Sequence, residues 1–214
     1  MAWADDELAV RVAADIEPGW TVNLGVGLPT LVAARLVDRP VMVHAENGIL
    51  GVGPPPKPGE EDPDLIDPGK NPVTIVPGAA FMDSGLSFAL IRGGHLDLAV
   101  MGAFQVSSGG DLANWRLPGR RGGAIGGAAD LAAGSKRVWV MASHLTKDGQ
   151  PKLVDRCSYP LTAAGVVTRV YTDLAVIDVE ADGFALVDLA PGVDLEAVRS
   201  ATGAEVRLRE HEGR

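Results

Sequence analysis

The chain has 214 residues, of which 46% are hydrophobic, and it carries a formal net charge of -9 and a single cysteine. A chain of this length can bury about 70% of its unfolded surface, so one domain over 1–214 is expected. The negative charge, without clustered Lys and Arg, argues against nucleic acid as a partner. No run approaches the roughly 18 apolar residues of a membrane span, and one cysteine allows no internal disulfide, so the sequence favours a cytoplasmic protein with no membrane partner.

The first quarter of the chain alternates predicted helices and strands. Asp5 or Asp6 can cap the first helix, and Pro29 suits the start of the second. Strands that are apolar on both faces and alternate with helices predict a parallel sheet covered by helices. The expected elements are a helix over 5–16, a strand over 20–26, a helix over 30–37 and a strand over 41–45.

The rest of the chain contains two long irregular segments. Residues 51–72 are rich in Pro and acids, and we expect this loop to form a wall of the active site. Residues 107–128 are rich in Gly. The elements expected around these segments are a helix over 84–91, strands over 96–101 and 136–142, a hairpin of 174–179 and 184–189 around Asp182-Gly183, and a helix over 194–201.

One carboxylate, Glu46, follows the apolar strand 41–45 and precedes Asn47-Gly48. Most acids in this position are solvated loop residues, so the position alone does not indicate a nucleophile. The surrounding residues change this interpretation. The segment Glu46-Asn-Gly-Ile-Leu-Gly51 resembles the active-site signature of the B subunits of 3-oxoacid CoA-transferases.

Seven further segments are similar to blocks of the same family and occur in the family's order. The resemblance therefore covers nearly the whole chain, and it implies the open, helix-covered α/β sheet that CoA-transferases share with certain sugar-phosphate isomerases. The segments begin at Asn23, Asp64, Ile91, Gly110, Gly126, Tyr159 and Thr172.

The resemblance also implies roles for individual residues. Glu46 would be the catalytic nucleophile that carries acyl groups and then CoA, and the amide of Gly127 would belong to an oxyanion hole. Lys70 matches a position near the nucleotide end of CoA. Asn23 is a candidate substrate contact, although a cap or turn role explains it equally well. Further candidates for substrate or CoA binding are Gly25, Gly27, Asn47, Gly48, Asn114 and Gly126.

Three positions depart from the family pattern. Ala45 stands where Ser is usual before the nucleophile, Leu86 where an acid is common, and Ala129 where Met is common. These departures bear on the acyl specificity more than on the chemistry.

Other site types are disfavoured. The spacing Gly25-Val-Gly27-Leu-Pro lacks the third glycine of a dinucleotide-binding loop. Ser107-Ser108 lacks the nucleophile elbow of serine hydrolases. The four histidines share no spacing typical of zinc sites, so we expect no metal and no redox cofactor.

The implied function is transfer of CoA from succinyl-CoA to a 3-oxoacid, and peripheral segments such as 58–62 and 144–147 favour 3-oxoadipate. The implied partner is a separately encoded A subunit, in a heterotetramer. An acetoacetate-specific transferase, an acyl-CoA hydrolase and a non-catalytic metabolite-binding module are the alternatives. Both substrates are anions, so attraction must be local. The candidate cations are Lys70, Arg92, Arg116, Arg120 and Arg121.

Overall fold

The structure is a computed structural model that describes residues 2–209, so Met1 and 210–214 of the predicted domain lie outside the described residues. Its elements are, in chain order, α1 (Asp5–Asp15), β1 (Thr21–Leu24), a 3₁₀ helix (Leu28–Arg35), β2 (Met42–Ala45), β3 (Ile49–Val52), β4 (Ile75–Phe81), α2 (Ser84–Arg92), β5 (Leu98–Met101), β6 (Gln105–Ser107), β7 (Leu112–Ala113), α3 (Ala128–Gly134), β8 (Val138–Met141), β9 (Leu153–Val154), β10 (Val167–Tyr171), β11 (Ala175–Glu180), β12 (Gly183–Leu189), α4 (Leu195–Ala201) and β13 (Val206–Leu208).

A ten-stranded mixed sheet has the order β13-β12-β11-β10-β8-β5-β1-β2-β3-β4. Its five central strands, β10, β8, β5, β1 and β2, are parallel to one another. Antiparallel pairs extend it on both sides, through β3 and β4 on one side and β11 and β12 on the other. The predicted parallel sheet is therefore confirmed for the centre, whereas hairpins form the flanks.

Both faces of the central strands are buried, because successive side chains of a strand point to opposite sides. Leu98 and Val100 pack in one cluster with the apolar face of α1. Ala99 and Met101 pack in the other cluster, which includes residues of α2 and α3 such as Ile91. Helices therefore cover the sheet on both sides, as the apolar strands predict.

Two details of the predicted helices are wrong. Ala4, rather than Asp5 or Asp6, is the N-cap of α1, and the Glu7 carboxylate accepts a hydrogen bond from the Ala4 amide at 2.8 Å. The predicted α-helix over 30–37 is a 3₁₀ helix that starts two residues earlier. The Thr30 amide and hydroxyl both donate to the Gly27 carbonyl, at 3.0 and 2.7 Å, and these bonds close a tight first turn.

Candidate active site

A cavity of about 490 Å³ lies at the carboxyl edge of the parallel strands. Gly25, Glu46, Gly102 and Ser143 follow β1, β2, β5 and β8 closely, and all four line this cavity. The glycine-rich segment before α3 and Trp115 line it as well. Open α/β sheets bind ligands at this edge, so the cavity is the candidate active site.

Glu46 lies on a tight turn between β2 and β3 that only glycine at position 48 allows. Gly48 has a φ of 122°, and a Cβ added there would lie 2.1 Å from the Met82 carbonyl oxygen. The Gly48 amide donates to the Ala45 carbonyl at 3.0 Å, and the Met82 amide donates to the Gly48 carbonyl at 2.9 Å. The turn is thereby fixed against the segment that leads into α2.

A buried chain of hydrogen bonds supports the turn from below. The Ser87 hydroxyl donates to the Glu46 carbonyl at 2.8 Å, and His44 Nε2 lies 2.9 Å from the same hydroxyl oxygen. The Asn23 side-chain amide lies 3.2 Å from His44 Nδ1 and also donates to the His44 carbonyl. Because an amide nitrogen can only donate, Nδ1 accepts and Nε2 carries the proton that reaches Ser87. Burial lowers the pKa of His44 to about 4, which keeps the ring neutral.

The Glu46 carboxylate is half-buried on the cavity wall. Burial raises its pKa, and the negative charge of Asp130 raises that pKa further. Arg92 forms an ion pair with Asp130, at 2.7 Å. A carboxylate that has lost part of its water shell is a stronger nucleophile than a fully hydrated one.

Gly127 approaches this carboxylate more closely than any residue with a side chain could. An added Cβ would lie 2.8 Å from Glu46 Oε1 and 2.9 Å from Phe88 Cζ. The Gly127 amide donates to no acceptor within residues 2–209. The preceding Gly126, with a φ of 51°, also lines the cavity. The structure therefore brings a free backbone donor next to the candidate nucleophile.

Two more predicted residues lie on the cavity wall, and both are packed closely. A Cβ on Gly25 would lie 3.1 Å from the Val100 carbonyl oxygen. The Asn114 side chain donates to the Gly102 carbonyl at 3.1 Å and accepts from the Thr162 hydroxyl at 2.6 Å. Both polar ends of Asn114 are thus already hydrogen-bonded within the protein.

Five predicted residues do not line the cavity, and one of them is Gly48, which shapes the turn at Glu46. Asn23 is 2% exposed and belongs to the buried hydrogen-bond chain behind the turn. Gly27 is the N-cap of the 3₁₀ helix, and the exposed Asn47 donates to the Ile66 carbonyl at 2.7 Å. Lys70 is exposed, with a φ of 66°, in the loop between β3 and β4. The structure therefore assigns Asn23 a supporting position behind the nucleophile.

Ala45, on the other side of the turn, has apolar neighbours. Ala45 is 5% exposed, packs with Ile49 and Val73, and borders a second cavity, of about 500 Å³. The proline-rich loop 51–72 lines that second cavity instead of the one that Glu46 faces. A methyl group at position 45 fits these apolar neighbours, which explains how the turn forms without the usual Ser.

Sequence reasoning missed two residues of the site. Ser87 holds the Glu46 backbone, and Lys152 lines the cavity with its ammonium group 2.8 Å from the Ser143 hydroxyl. Neither residue lies in a recognisable catalytic motif. Lys152 lies just before β9, far from Glu46 in the sequence, so no local signal marks it.

The remaining reactive groups are inert or dispersed. Burial raises the pKa of the half-buried Cys157 thiol to about 11, so the thiol is mostly protonated and a poor nucleophile near neutral pH. Over residues 2–209, no group of three His, Cys, Asp or Glu side chains is arranged to hold a metal ion. No helix in the same range is long and apolar enough to cross a membrane.

A carboxylate on a tight turn, beside a free amide and at the carboxyl edge of an open α/β sheet, is an arrangement suited to an acyl-transfer enzyme. The chain belongs to the Coenzyme A transferase family, whose model matches residues 6–201. It is thus a CoA-transferase, and the family expected from the sequence is confirmed.

Two similar proteins of the family are both B subunits of CoA-transferases. The B subunit of 3-oxoadipate CoA-transferase from Pseudomonas putida is 54% identical over 92% of this chain and 93% of its own length. The B subunit of succinyl-CoA:3-ketoacid coenzyme A transferase from Helicobacter pylori is 47% identical over 93% of this chain and 96% of its own length.

Known structures share the fold. The acyl-CoA transferase of E. coli O157:H7, in a thioester complex with CoA, has a TM-score of 0.74 and 19% identity; the match covers 96% of this chain and 41% of that one. Glutaconate coenzyme A-transferase from Acidaminococcus fermentans has a TM-score of 0.68 and 18% identity, over 96% of this chain and 86% of the other. The open α/β fold that the sequence implied is therefore confirmed.

Proposed function

We propose that this chain is the B subunit of a transferase that moves CoA from succinyl-CoA to 3-oxoadipate through a covalent intermediate on Glu46. The observation that carries the proposal is the half-buried Glu46 carboxylate on the cavity wall, next to Gly127. The 54% identity to the B subunit of a protein named 3-oxoadipate CoA-transferase supports this acceptor. The relative named for 3-ketoacids makes acetoacetate the alternative acceptor to test.

The chemistry follows from a nucleophile that is already ionised. A Glu46 oxygen attacks the thioester carbonyl of succinyl-CoA, the carbon–sulfur bond breaks, and CoA leaves as a thiolate. The thiolate attacks the glutamyl carbonyl of the resulting anhydride, which releases succinate and leaves a glutamyl-CoA thioester. The acceptor acid repeats both steps in reverse. None of these steps changes an oxidation state, and the nucleophile and the proposed oxyanion donor both belong to the protein. We therefore propose that the enzyme needs no metal or redox cofactor.

Each acyl step passes through a tetrahedral oxyanion. The Gly127 amide, which has no acceptor within residues 2–209, is the donor that we propose for this charge when it develops on the Glu46 side of the anhydride or thioester. One such donor stabilises a transition state by about 2.7 to 4 kcal/mol. Gly126 would allow the backbone to approach the reacting atoms closely.

We propose that the partner is an A subunit of similar fold, in an assembly with two copies of each chain. Both named relatives are B subunits, and apolar side chains at the cavity are exposed in the isolated chain: Val26 is 63% and Ile125 is 38% exposed. A partner that covers these side chains would close the cavity and remove apolar surface from water. The half-buried, unreactive Cys157 agrees with a reducing cytoplasm as the location.

Trapping of the intermediate tests the nucleophile. The two subunits are mixed, incubated with succinyl-CoA and treated with borohydride, which reduces a glutamyl thioester. Peptide mass spectrometry should show reduction at Glu46 alone. Glu46→Gln should abolish trapping and exchange, whereas the control Glu61→Gln, an exposed acid in the loop between β3 and β4, should leave both unchanged. An unmodified Glu46 peptide after measured turnover would refute the mechanism.

The acceptor is tested separately. The reconstituted enzyme is assayed with 3-oxoadipate and with acetoacetate at equal concentration, and the two kcat/KM values are compared. A larger value for 3-oxoadipate supports the proposed acceptor. A larger value for acetoacetate would keep the mechanism and replace the acceptor.

A further inference from the structure

Only two ionisable side chains among the described residues line the candidate active site, and they have opposite charges. Glu46 is the proposed nucleophile, and Lys152 is the cation. The other lining residues are glycines, apolar residues or neutral polar ones. The chemistry proposed for Glu46 makes no use of this ammonium group.

The Lys152 ammonium group has unused hydrogen-bond donors. It donates to the Ser143 hydroxyl at 2.8 Å, and that hydroxyl donates in turn to the Leu145 carbonyl at 2.9 Å. No carboxylate within residues 2–209 lies within 4.0 Å of Lys152, so the two remaining protons of the ammonium group have no protein acceptor there. The site can therefore offer two donors to an anionic ligand.

The electrostatic surroundings also favour a bound anion. Burial lowers the pKa of Lys152, and the charge of Asp173 only partly offsets this. Asp173 itself accepts a hydrogen bond from the His144 amide at 2.6 Å. A half-buried charge without a close counter-ion is costly, and an anion that enters the cavity would remove this cost.

The two charged groups lie near the ends of two different strands of the parallel sheet. Glu46 follows β2, Ser143 follows β8, and β1 and β5 lie between these parallel strands. Three interstrand spacings separate the two strands by about 14 Å at the backbone. Glu46 and Lys152 both line the same cavity, so one ligand in it can contact both groups.

We propose that Lys152 binds the distal carboxylate of a dicarboxylic substrate while the other end of that substrate reacts at Glu46. This inference rests on the proposed function and defines its substrate class: a dicarboxylic acyl-CoA as donor and a dicarboxylic 3-oxoacid as acceptor. A monocarboxylic acyl group of the same length leaves Lys152 without a counter-ion. Lys152 is thus a specificity-determining residue.

The test compares two acyl donors that differ only in the distal carboxylate. The reconstituted enzyme is mixed with succinyl-CoA or butyryl-CoA, and the rate of glutamyl-CoA formation is measured by quenching with borohydride. Lys152→Met should lower the rate with subsaturating succinyl-CoA by about 10- to 100-fold, as expected for a lost hydrogen bond to a charged group. The rate with butyryl-CoA should not fall. Lys152→Arg should keep most of the preference for succinyl-CoA.

Control measurements separate the possible outcomes. Lys147→Met changes an exposed lysine of the same loop and should leave both rates unchanged, and thermal unfolding shows whether each variant is folded. If Lys152→Met lowered the rate of glutamyl-CoA formation equally with both donors, or did not lower it with succinyl-CoA, the role of Lys152 would be overturned and the proposed function would stand. A wild-type enzyme that forms no glutamyl-CoA with either donor would refute the proposed function, and the role of Lys152 with it.

Discussion

Gly127→Ala should change the position of the nucleophile, and so the rate of the reaction, without a large change in the stability of the fold. The new Cβ would lie 2.8 Å from Glu46 Oε1 and 3.1 Å from Glu46 Cδ, so the carboxylate must move by about half an ångström to reach ordinary contact distance. Misplacement of a reacting group by about 1 Å can cost about 100-fold in rate. We therefore expect glutamyl-CoA formation to slow by about 10- to 100-fold.

The fold should tolerate the same substitution. Gly127 has φ -76° and ψ -3°, which alanine adopts without strain, and Gly→Ala at such a site typically stabilises by about 0.4 to 1 kcal/mol. Contact of the new methyl group with Phe88 Cζ, at 2.9 Å, opposes this gain. The melting temperature should therefore change by less than about 4 °C.

Borohydride trapping measures the rate, and calorimetry measures the melting temperature. Gly109→Ala is the matched control, because an added Cβ there has only one ordinary contact, at 3.8 Å, and the residue is exposed. A wild-type rate in Gly127→Ala would show that the carboxylate does not lie against Gly127 in the working enzyme. A large fall in melting temperature would show instead that the glycine is required for folding.

Three further outcomes follow from the surroundings of Glu46. The charge of Asp130 is the second cause, next to burial, that raises the pKa of Glu46. Asp130→Asn removes this charge, so the acidic limb of the pH profile for glutamyl-CoA formation should move to lower pH. An acidic limb at the wild-type pH would show that Asp130 does not influence Glu46. Glu46→Gln should raise the free energy of unfolding at pH 7, because a carboxyl group with a raised pKa in the folded state ionises there at a cost. In denaturant titrations that gain should disappear below the ordinary pKa of glutamate, where the wild-type side chain is protonated in both states. Ser87→Ala leaves His44 Nε2 without an acceptor and the Glu46 carbonyl without its donor, so chemical denaturation should show a loss of about 1 to 3 kcal/mol; an unchanged midpoint would mean that the bonds contribute nothing.

Local patterns predicted the elements whose formation depends on local sequence. The helix over 84–91 is observed as Ser84–Arg92, and the hairpin around Asp182-Gly183 is observed with antiparallel β11 and β12. Apolar runs such as 96–101 also became central strands, because strands buried on both faces need no alternation. β4 was not predicted, since its pairing with β3 joins segments separated by the long proline-rich loop. β3 was not predicted either, although it pairs with β2 across the tight turn at Glu46.

The residues that support the nucleophile depend on long-range pairing. Asn23 was a candidate for a substrate contact or for a cap or turn role, but it lies within β1 in register with His44, and this pairing directs its side chain into the buried hydrogen-bond chain. Ser87 reaches Glu46 across 41 residues of sequence. Spacing along the chain contains no information about such contacts, because the strand order of the sheet decides them.

The chain is negatively charged, yet its proposed substrates are anions, and one cation inside the cavity can account for their binding. With a net charge of -9, the protein repels its anionic substrates at long range. None of the candidate cations that the sequence indicated lines the cavity: Arg92, for example, pairs with Asp130 at 2.7 Å, and Lys70 is on an exposed loop. Ions screen surface charges beyond about 8 to 10 Å, whereas a half-buried cation acts on its neighbours with little screening. One ammonium group at Lys152, inside the cavity, can therefore favour a dicarboxylic acyl chain despite the sign of the whole protein.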